Sequence, residues 1–276
     1  MRFPFTGNQV RLLGQVGPEG GWADAFIDDV QEPTIVECWN PTVRQRQPIF
    51  LKKGLSNGSH QLKIVVREEK NPLSTGTRIW VQGAQFSDAS GDSGFGAGGG
   101  PKEAQRMIFG YTARQDYVDS NGNAWHPGTE FITRTGFGAD TVAKTWWTSR
   151  RSMYIGDTRD QEIYRYGVHA PEFCVNLTVA PGTYRVRLHW ADTPETPWVE
   201  REGDWQPISR PTTVAINGKT VIEELSVRKE VGTFKAYTRE FKDIEARNGA
   251  VEIRFSSTPH HEAMIQALEL IPAGNR

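Results

Sequence analysis

The chain has 276 residues, 37% of them hydrophobic and 24% charged, with a mean hydropathy of −0.55, enough for one large core or two ordinary ones. Lys and Arg number 32 against 33 Asp and Glu, a net charge of −1, so the overall balance makes no electrostatic case for nucleic acid. No run of about 18 apolar residues marks a membrane span, and the start, MRFPFTGNQVRLLG, lacks the long apolar core of a signal peptide.

From the N-terminus onward, strand-like runs alternate with turn signals, the pattern of an all-β sandwich. Residues 23–37, ADAFIDDVQEPTIVE, read as strand, polar turn, strand. A glycine-led strand follows in SNGSHQLKIVV (56–66), and TRIWVQGAQF (77–86) closes the half with a last apolar strand. Too few residues precede the hairpin for the usual strands of a sandwich. Residues 1–86 are therefore expected to be a partial β-sandwich, with an edge that a catalytic domain or partner chain covers. Next, SDASGDSGFGAGGGPK supplies a Gly/Ser-rich linker over 87–104. Its GFGAGGG resembles a phosphate-binding loop, but no βαβ frame or following helix supports that reading. Helical pattern is confined to PKEAQRMI (101–108) and DIEARNG (243–249), a turn or two each.

Residues 105–276 repeat the earlier devices. APGTYRVRLHW (180–190) is a turn and a strand in which Tyr184, Val186, Leu188 and Trp190 alternate with Arg185, Arg187 and His189. PTTVAINGKTVIEEL (211–225) is a hairpin on Asn217-Gly218, RNGAVEIRFSS (247–257) a glycine-led strand, and AMIQALELI (263–271) a final apolar strand. The expected architecture is two jelly-roll-like β-sandwich modules, the first incomplete, joined by the Gly-rich linker.

Six of the nine tryptophans (Trp125, Trp146, Trp147, Trp190, Trp198, Trp205) fall between residues 125 and 205. Trp190 sits in a strand pattern and reads as core; adjacency allows at most one of Trp146 and Trp147 to face a ligand. Trp198 and Trp205, in TPETPWVEREGDW, have charged or Pro neighbours that explain burial poorly. Catalytic signals are thin. Asp157, Asp160, Glu162, Asp192 and Glu195 could pair as glycosidase carboxylates only if the fold made them face one another, and no G-x-S-x-G elbow occurs. His260 and His261, adjacent on a strand, would point to opposite faces and chelate badly. No cofactor is expected; loop carboxylates and carbonyls allow a structural Ca2+, although no spacing demands one. Cys38 and Cys174 read as buried free thiols.

DSNGNAWHPGTEF (119–131), DQEIYRYG (160–167), APGTYRVRLHWADT (180–193), PTTVAINGKTVIEEL (211–225) and HHEAMIQALELIP (260–272) occur in the order seen in malectin-like domains. The second half, residues 105–272, resembles that family of β-sandwich carbohydrate-binding modules, known from an endoplasmic-reticulum lectin and from bacterial carbohydrate-active enzymes. FTGNQVRLLG, GGWADAFIDD, GLSNGSHQLKIVV and KNPLSTGTRIWV give the first half a looser resemblance to the rear of an accessory sandwich on bacterial glycoside hydrolases.

The resemblance implies a polysaccharide or oligosaccharide ligand, no catalytic residues, an accessory role beside a hydrolase or lyase, and an extracellular or periplasmic place. A sugar ring needs an aromatic plate and a rim of donors and acceptors. Carried onto this sequence, the plates are Trp125, Tyr154, Tyr164 and Tyr166, with His126, Asp157 and Arg165 at the rim; the unexplained Trp198 and Trp205 join them. A catalytic hydrolase or lyase fragment and a structural or adhesion module are the rival readings.

Overall fold

The computed structural model describes residues 1–88, 101–111, 113–128, 144–146, 153–193, 198–201, 204–207, 210–247 and 249–274. Most of the expected linker therefore lies outside the described residues.

The first module contains β1 (Arg2–Gly7), β2 (Gln9–Val16), β3 (Trp22–Ile27), β4 (Val30–Glu37), β5 (Arg44–Lys52), β6 (Gly58–Val66) and β7 (Trp80–Ser87). They form two antiparallel sheets, ordered β1-β6-β3-β4 and β5-β2-β7. Alternate residues of β2 (Val10, Leu12), β3 (Ala23, Ala25, Ile27) and β6 (Leu62, Ile64) meet Phe5 and Phe50 in one core, as period-two patterning requires. The β3–β4 turn places Asp28 and Asp29 at φ 51° and 63°, the positive values a two-residue hairpin needs. The Asp28 carboxylate holds that conformation by accepting the Gln61 N–H at 2.8 Å. The expectation of missing front strands counts only what precedes this hairpin. In the fold β1 and β2 supply one strand to each sheet, and β5, β6 and β7 complete the two walls around the core.

The second module runs through β8 (Gln105–Ile108), β9 (Tyr117–Val118), β10 (Ala124–Pro127), β11 (Lys144–Trp146), β12 (Gly167–Ala170), β13 (Glu172–Thr178) and β14 (Thr183–Trp190). It continues with β15 (Trp198–Arg201), β16 (Asp204–Pro207), β17 (Thr212–Ile216), β18 (Lys219–Leu225), α1 (Val227–Val231), β19 (Tyr237–Glu245), β20 (Ala250–Ser256), β21 (Ala263–Ile265) and β22 (Ala267–Pro272). A six-stranded sheet, β19-β14-β22-β8-β10-β9, faces a four-stranded one, β13-β20-β17-β18, with β11-β12-β21 and the ribbon β15-β16 beside them. Of the two stretches read as helical turns, residues 105–108 and 243–245 lie in strands instead: β8 pairs with β22, and β19 with β14. Sheet pairing outweighs the weak local preference of such short segments.

The APGTYRVRLHW strand, β14, sits at the middle of the fold. Tyr184, Val186, Leu188 and Trp190 enter the main core with Phe173, Val175, Leu177, Val214, Ile253, Phe255 and Leu268. Trp190 is fully buried and donates its indole N–H to the Met264 carbonyl at 2.8 Å. The opposite face of the sheet carries a line of alternating charge set by strand register, Glu240–Arg187–Glu269–Arg106 across β19, β14, β22 and β8. Successive pairs are 2.7, 3.0 and 2.9 Å apart.

Next to that line the outer face is covered. Residues 108–111, 113–125 and 155–166 fold over His189, Ala191 and Ala267 to form a second small core: Ile108, Tyr111, Trp125, Ile155, Ile163, Tyr164 and Tyr166. His189, an outward position by alternation, is thereby buried.

The two modules touch directly. β5, an edge strand of the first, lies along β13, an edge strand of the second: the Thr178 hydroxyl donates to the Arg46 carbonyl at 3.0 Å and Lys53 pairs with Glu252 at 3.0 Å. Asn40 Nδ2 donates to the Pro127 carbonyl at 2.8 Å in a fully buried contact. Arg44 of β5 is buried so thoroughly that its pKa falls to about 9, against the pull of Asp116 in the second module. Within the chain, then, the second module covers the β5 edge. Both cysteines are free thiols; burial lifts Cys38 to about 12 and Cys174 to about 11.

Candidate functional site

The nine residues singled out from sequence separate into four places. Trp125, Tyr164 and Tyr166 are 2%, 5% and 2% exposed, so their rings belong to the second core and offer no face to a ligand. Each polar tip has a partner: Trp125 Nε1 donates to Asp119 at 2.9 Å, the Tyr164 hydroxyl meets His189 Nδ1 at 3.0 Å, and the Tyr166 hydroxyl donates to Glu162 at 2.9 Å. Gly, Pro and Asp neighbours suggested exposed loops. The segments are loops, but they close over a sheet and bury their aromatics beneath them.

His126 lies at the seam between modules. Its Nδ1 is 2.8 Å from Asp116, and the next carbonyl, Pro127, is the one taken by Asn40. For Trp198 and Trp205 the backbone places a two-stranded ribbon, with Trp198 opposite Pro207 and Glu200 opposite Trp205; their side chains, with Trp146, Trp147 and Glu195, lie outside what is described.

Tyr154, Asp157 and Arg165 share one segment. Tyr154 is 73% exposed, and the backbone on either side of it is pinned. Arg165 Nε donates to the Met153 carbonyl at 3.0 Å, and the Ile155 N–H donates to Gln161 Oε1 at 3.0 Å. Arg165 is itself fixed by Glu162 and Gln161, each at 3.1 Å, so it braces the plate and is not free to serve as a rim group. Gln161 and Glu162 come from a 3-10 turn, Gln161–Tyr164, which the buried Ile163 and Tyr164 anchor to the second core.

The next residues join a short ladder. The Gly156 N–H donates to the Phe234 carbonyl at 2.8 Å, the Ala236 N–H returns to Gly156 at 3.0 Å, and the Phe234 N–H reaches the Asp192 carbonyl at 2.8 Å. Asp192 is gripped by Arg228 through two bonds of 3.0 and 3.1 Å. This brings Lys235 beside Asp157, 3.6 Å apart, with both side chains more than half exposed. The separation exceeds a hydrogen bond, so each group keeps capacity for a third party. Lys235, in GTFKAY, and Gln161 were missed from sequence: nothing near Lys235 in the chain marks it, and Gln161 sits within DQEIYRYG between the two carboxylates that were named.

The result is a ledge: an exposed phenol on a stiff support, with an acceptor and a donor beside it. Of the other carboxylates named from sequence, Asp160 accepts from Tyr117 at 3.0 Å and Ser120 at 2.7 and 2.8 Å, Glu162 from Arg165 and Tyr166, and Asp192 from Arg228. The Asp119 oxygens are taken by N–H donors of Asn121, Asn123 and Trp125. Glu262, beside the two histidines, pairs with His169. Among the described residues no group of three or more His, Cys, Asp or Glu side chains is placed to hold a metal ion, and no helix is long and apolar enough to cross a membrane.

No curated protein sequence matches the chain. Solved structures that resemble it include a Bacteroides uniformis β-glucuronidase, described as covalently bound to cyclophellitol-6-carboxylate aziridine, at 13% identity and a TM-score of 0.46, covering 99% of this chain and 27% of that one. The ANXUR1 extracellular domain from Arabidopsis thaliana aligns at 10% identity and a TM-score of 0.47, covering 98% and 80%. The chain thus spans about a quarter of the glucuronidase, and at these values neither likeness bears on function. The malectin domain model matches residues 108–271, more than half of the chain and nearly all of the second module. The chain belongs to the malectin-domain family, a carbohydrate-binding kind of β-sandwich.

Proposed function

We propose that the second module binds a saccharide on the Tyr154 ledge, and that the chain is a non-catalytic accessory region of a carbohydrate-active enzyme. The observation that carries this reading is the exposed Tyr154 ring on a backbone pinned by Arg165 and Gln161. A buried tyrosine would serve packing, and a tyrosine on a free loop would lose entropy on stacking; a preorganised plate avoids that cost. The ring takes the C–H face of a sugar, while Asp157 accepts from and Lys235 donates to its hydroxyls. Engagement of Asp160, Glu162 and Asp192 by structural partners favours binding over glycosidic cleavage, which needs two available carboxylates. A polysaccharide ligand puts the chain outside the cell or in the periplasm.

Affinity electrophoresis against a polysaccharide panel tests the proposal. Retardation on at least one neutral or acidic glycan is expected, reduced about tenfold or more in affinity by Tyr154→Ala. Release of reducing ends from the retained glycan would instead favour the catalytic reading, and no retardation on any glycan would refute both.

A further inference from the structure

Gly156, between Tyr154 and Asp157, has no conformational reason to be glycine. It is absent from the glycines of positive φ. Packing does not require it either. A Cβ at this position would meet the Phe234 carbonyl oxygen at 3.6 Å, Lys235 Cγ at 3.7 Å and Tyr154 Cε1 at 3.8 Å, all ordinary van der Waals distances. What the missing Cβ leaves is a shallow notch, in which a non-bonded carbon can come into van der Waals contact with the Gly156 Cα. Its walls are the edge of the exposed ring and the aliphatic stem of Lys235; a backbone carbonyl oxygen, already accepting the Gly156 N–H, closes the third side. Gly156 is half-buried, and its Cβ direction runs between the Tyr154 ring edge and the Lys235 stem, beside the plate and the rim.

We propose that Gly156 is a specificity-determining residue of the saccharide site, and that its notch takes the C6 methylene of a hexopyranose stacked on Tyr154. This rests on the ledge being the saccharide site. The C6 methylene is the one exocyclic carbon of a hexopyranose; it projects from the rim beside the ring face, and its own hydroxyl points away from the notch and stays hydrated. With the sugar over the phenol, that carbon falls at the edge of the plate, where the notch begins. The surrounding oxygens remain for Asp157 and Lys235. A pentopyranose of the same hydroxyl stereochemistry stacks equally well but leaves the notch unfilled. One buried methylene is worth roughly a four- to tenfold preference.

The test is a set of calorimetric or ligand-observed NMR titrations of the full chain with three matched pairs of methyl glycosides. These are glucoside and xyloside, galactoside and L-arabinopyranoside, and mannoside and lyxoside. In a pair that binds, the hexoside is expected to bind roughly four- to tenfold more tightly. Gly156→Ala should erase that difference while leaving the pentoside affinity unchanged and the melting temperature equal or slightly higher. Equal affinity within every binding pair overturns the notch, and that comparison needs no variant. So does a preference that survives Gly156→Ala, or a retained polysaccharide whose single glycosides all fail to bind. Failure of every polysaccharide and every glycoside overturns the saccharide site itself.

Discussion

At the scale of single residues, aromatic rings of one local sequence character end in opposite roles. Tyr154 and Trp125 both sit among Gly, Asp and Pro or Arg, yet Tyr154 is 73% and Trp125 2% exposed. Burial predicts opposite responses to the same change. Trp125→Ala removes a fully packed indole, its edge contact with His189 at 5.4 Å and the donor to Asp119, and should cost about 3–5 kcal/mol. Tyr154→Ala removes a ring that packs little and should stay within about 0.5 kcal/mol of the parent. Urea denaturation of the two variants checks this directly. A large loss of stability in Tyr154→Ala would mean the ring is a strut, and the ledge would lose its plate. Arg165 lies between these extremes: its guanidinium ties Met153, Gln161 and Glu162 together, so Arg165→Ala should weaken binding by loosening the plate, with Arg165→Lys a poor rescue because an ammonium cannot span three acceptors in one plane.

At the scale of elements, strand register on the outer face of the six-stranded sheet arranges Glu240, Arg187, Glu269 and Arg106 in a row, with His189 bonded to Glu269 at 3.1 Å. Burial alone would raise the Glu269 carboxyl, but the His189 hydrogen bond and the charges of Arg187 and Arg106 outweigh it and bring the pKa to about 2. For His189 burial dominates, and its pKa falls below the ordinary value of 6.5 despite the pull of Glu269. The neutral imidazole then donates Nε2–H to Glu269 and accepts the Tyr164 hydroxyl at Nδ1. Both groups take up protons more readily when unfolded, so both make stability rise with pH. The His189 contribution is complete above about pH 6.5 and is lost below it as the unfolded chain protonates first; the Glu269 contribution is complete above about pH 4.5 and is lost as pH falls toward 2. Melting temperature should therefore decline in two stages on acidification, and His189→Gln should remove the upper stage. Glu269→Gln leaves Arg106 without its carboxylate, while Arg187 keeps Glu240, and should cost about 3 kcal/mol at neutral pH. Much of this sheet was legible in the sequence. The alternation in β14 put Trp190 in the core, and Asn217-Gly218 turns at φ 48° and 80° as its dipeptide requires. Period two, however, describes a sheet with one wet face. It cannot tell that residues 113–125 and 155–166 return to cover His189, and the same covering layer hides Trp125, Tyr164 and Tyr166. Of the ledge, Tyr154, Asp157, Arg165 and Asp192 were named from the sequence but not as one site, because Lys235 and Asp192 arrive from segments remote in the chain.

At the scale of the molecule, the Gly-rich stretch suggested two modules free to move about a tether, whereas the described contacts tie them together. The Arg44 guanidinium is buried near Asp116, Asn40 gives its amide to the Pro127 carbonyl out of reach of water, and Pro101 at the far end of the linker accepts the Ala180 N–H at 3.0 Å. Groups buried this way are costly to leave exposed to a gap that neither water nor protein fills. Separation of the modules would have to rehydrate them all and free both the β5 and β13 edges. The seam also lies next to β10, whose Trp125 indole, bonded to Asp119, supports the second core. Loss of docking should therefore be felt on the ledge side of the module. The expected outcome is one cooperative thermal transition for the intact chain, with its calorimetric and van't Hoff enthalpies in agreement. Asn40→Ala leaves the Pro127 carbonyl without its donor and should cost about 1–3 kcal/mol. Combined with Arg44→Ala, which removes the buried charge that Asp116 faces, it should split the transition into two and increase the radius of gyration measured by small-angle scattering. Two transitions in the unmodified chain would show that the modules unfold independently and that the seam contributes little to holding them together.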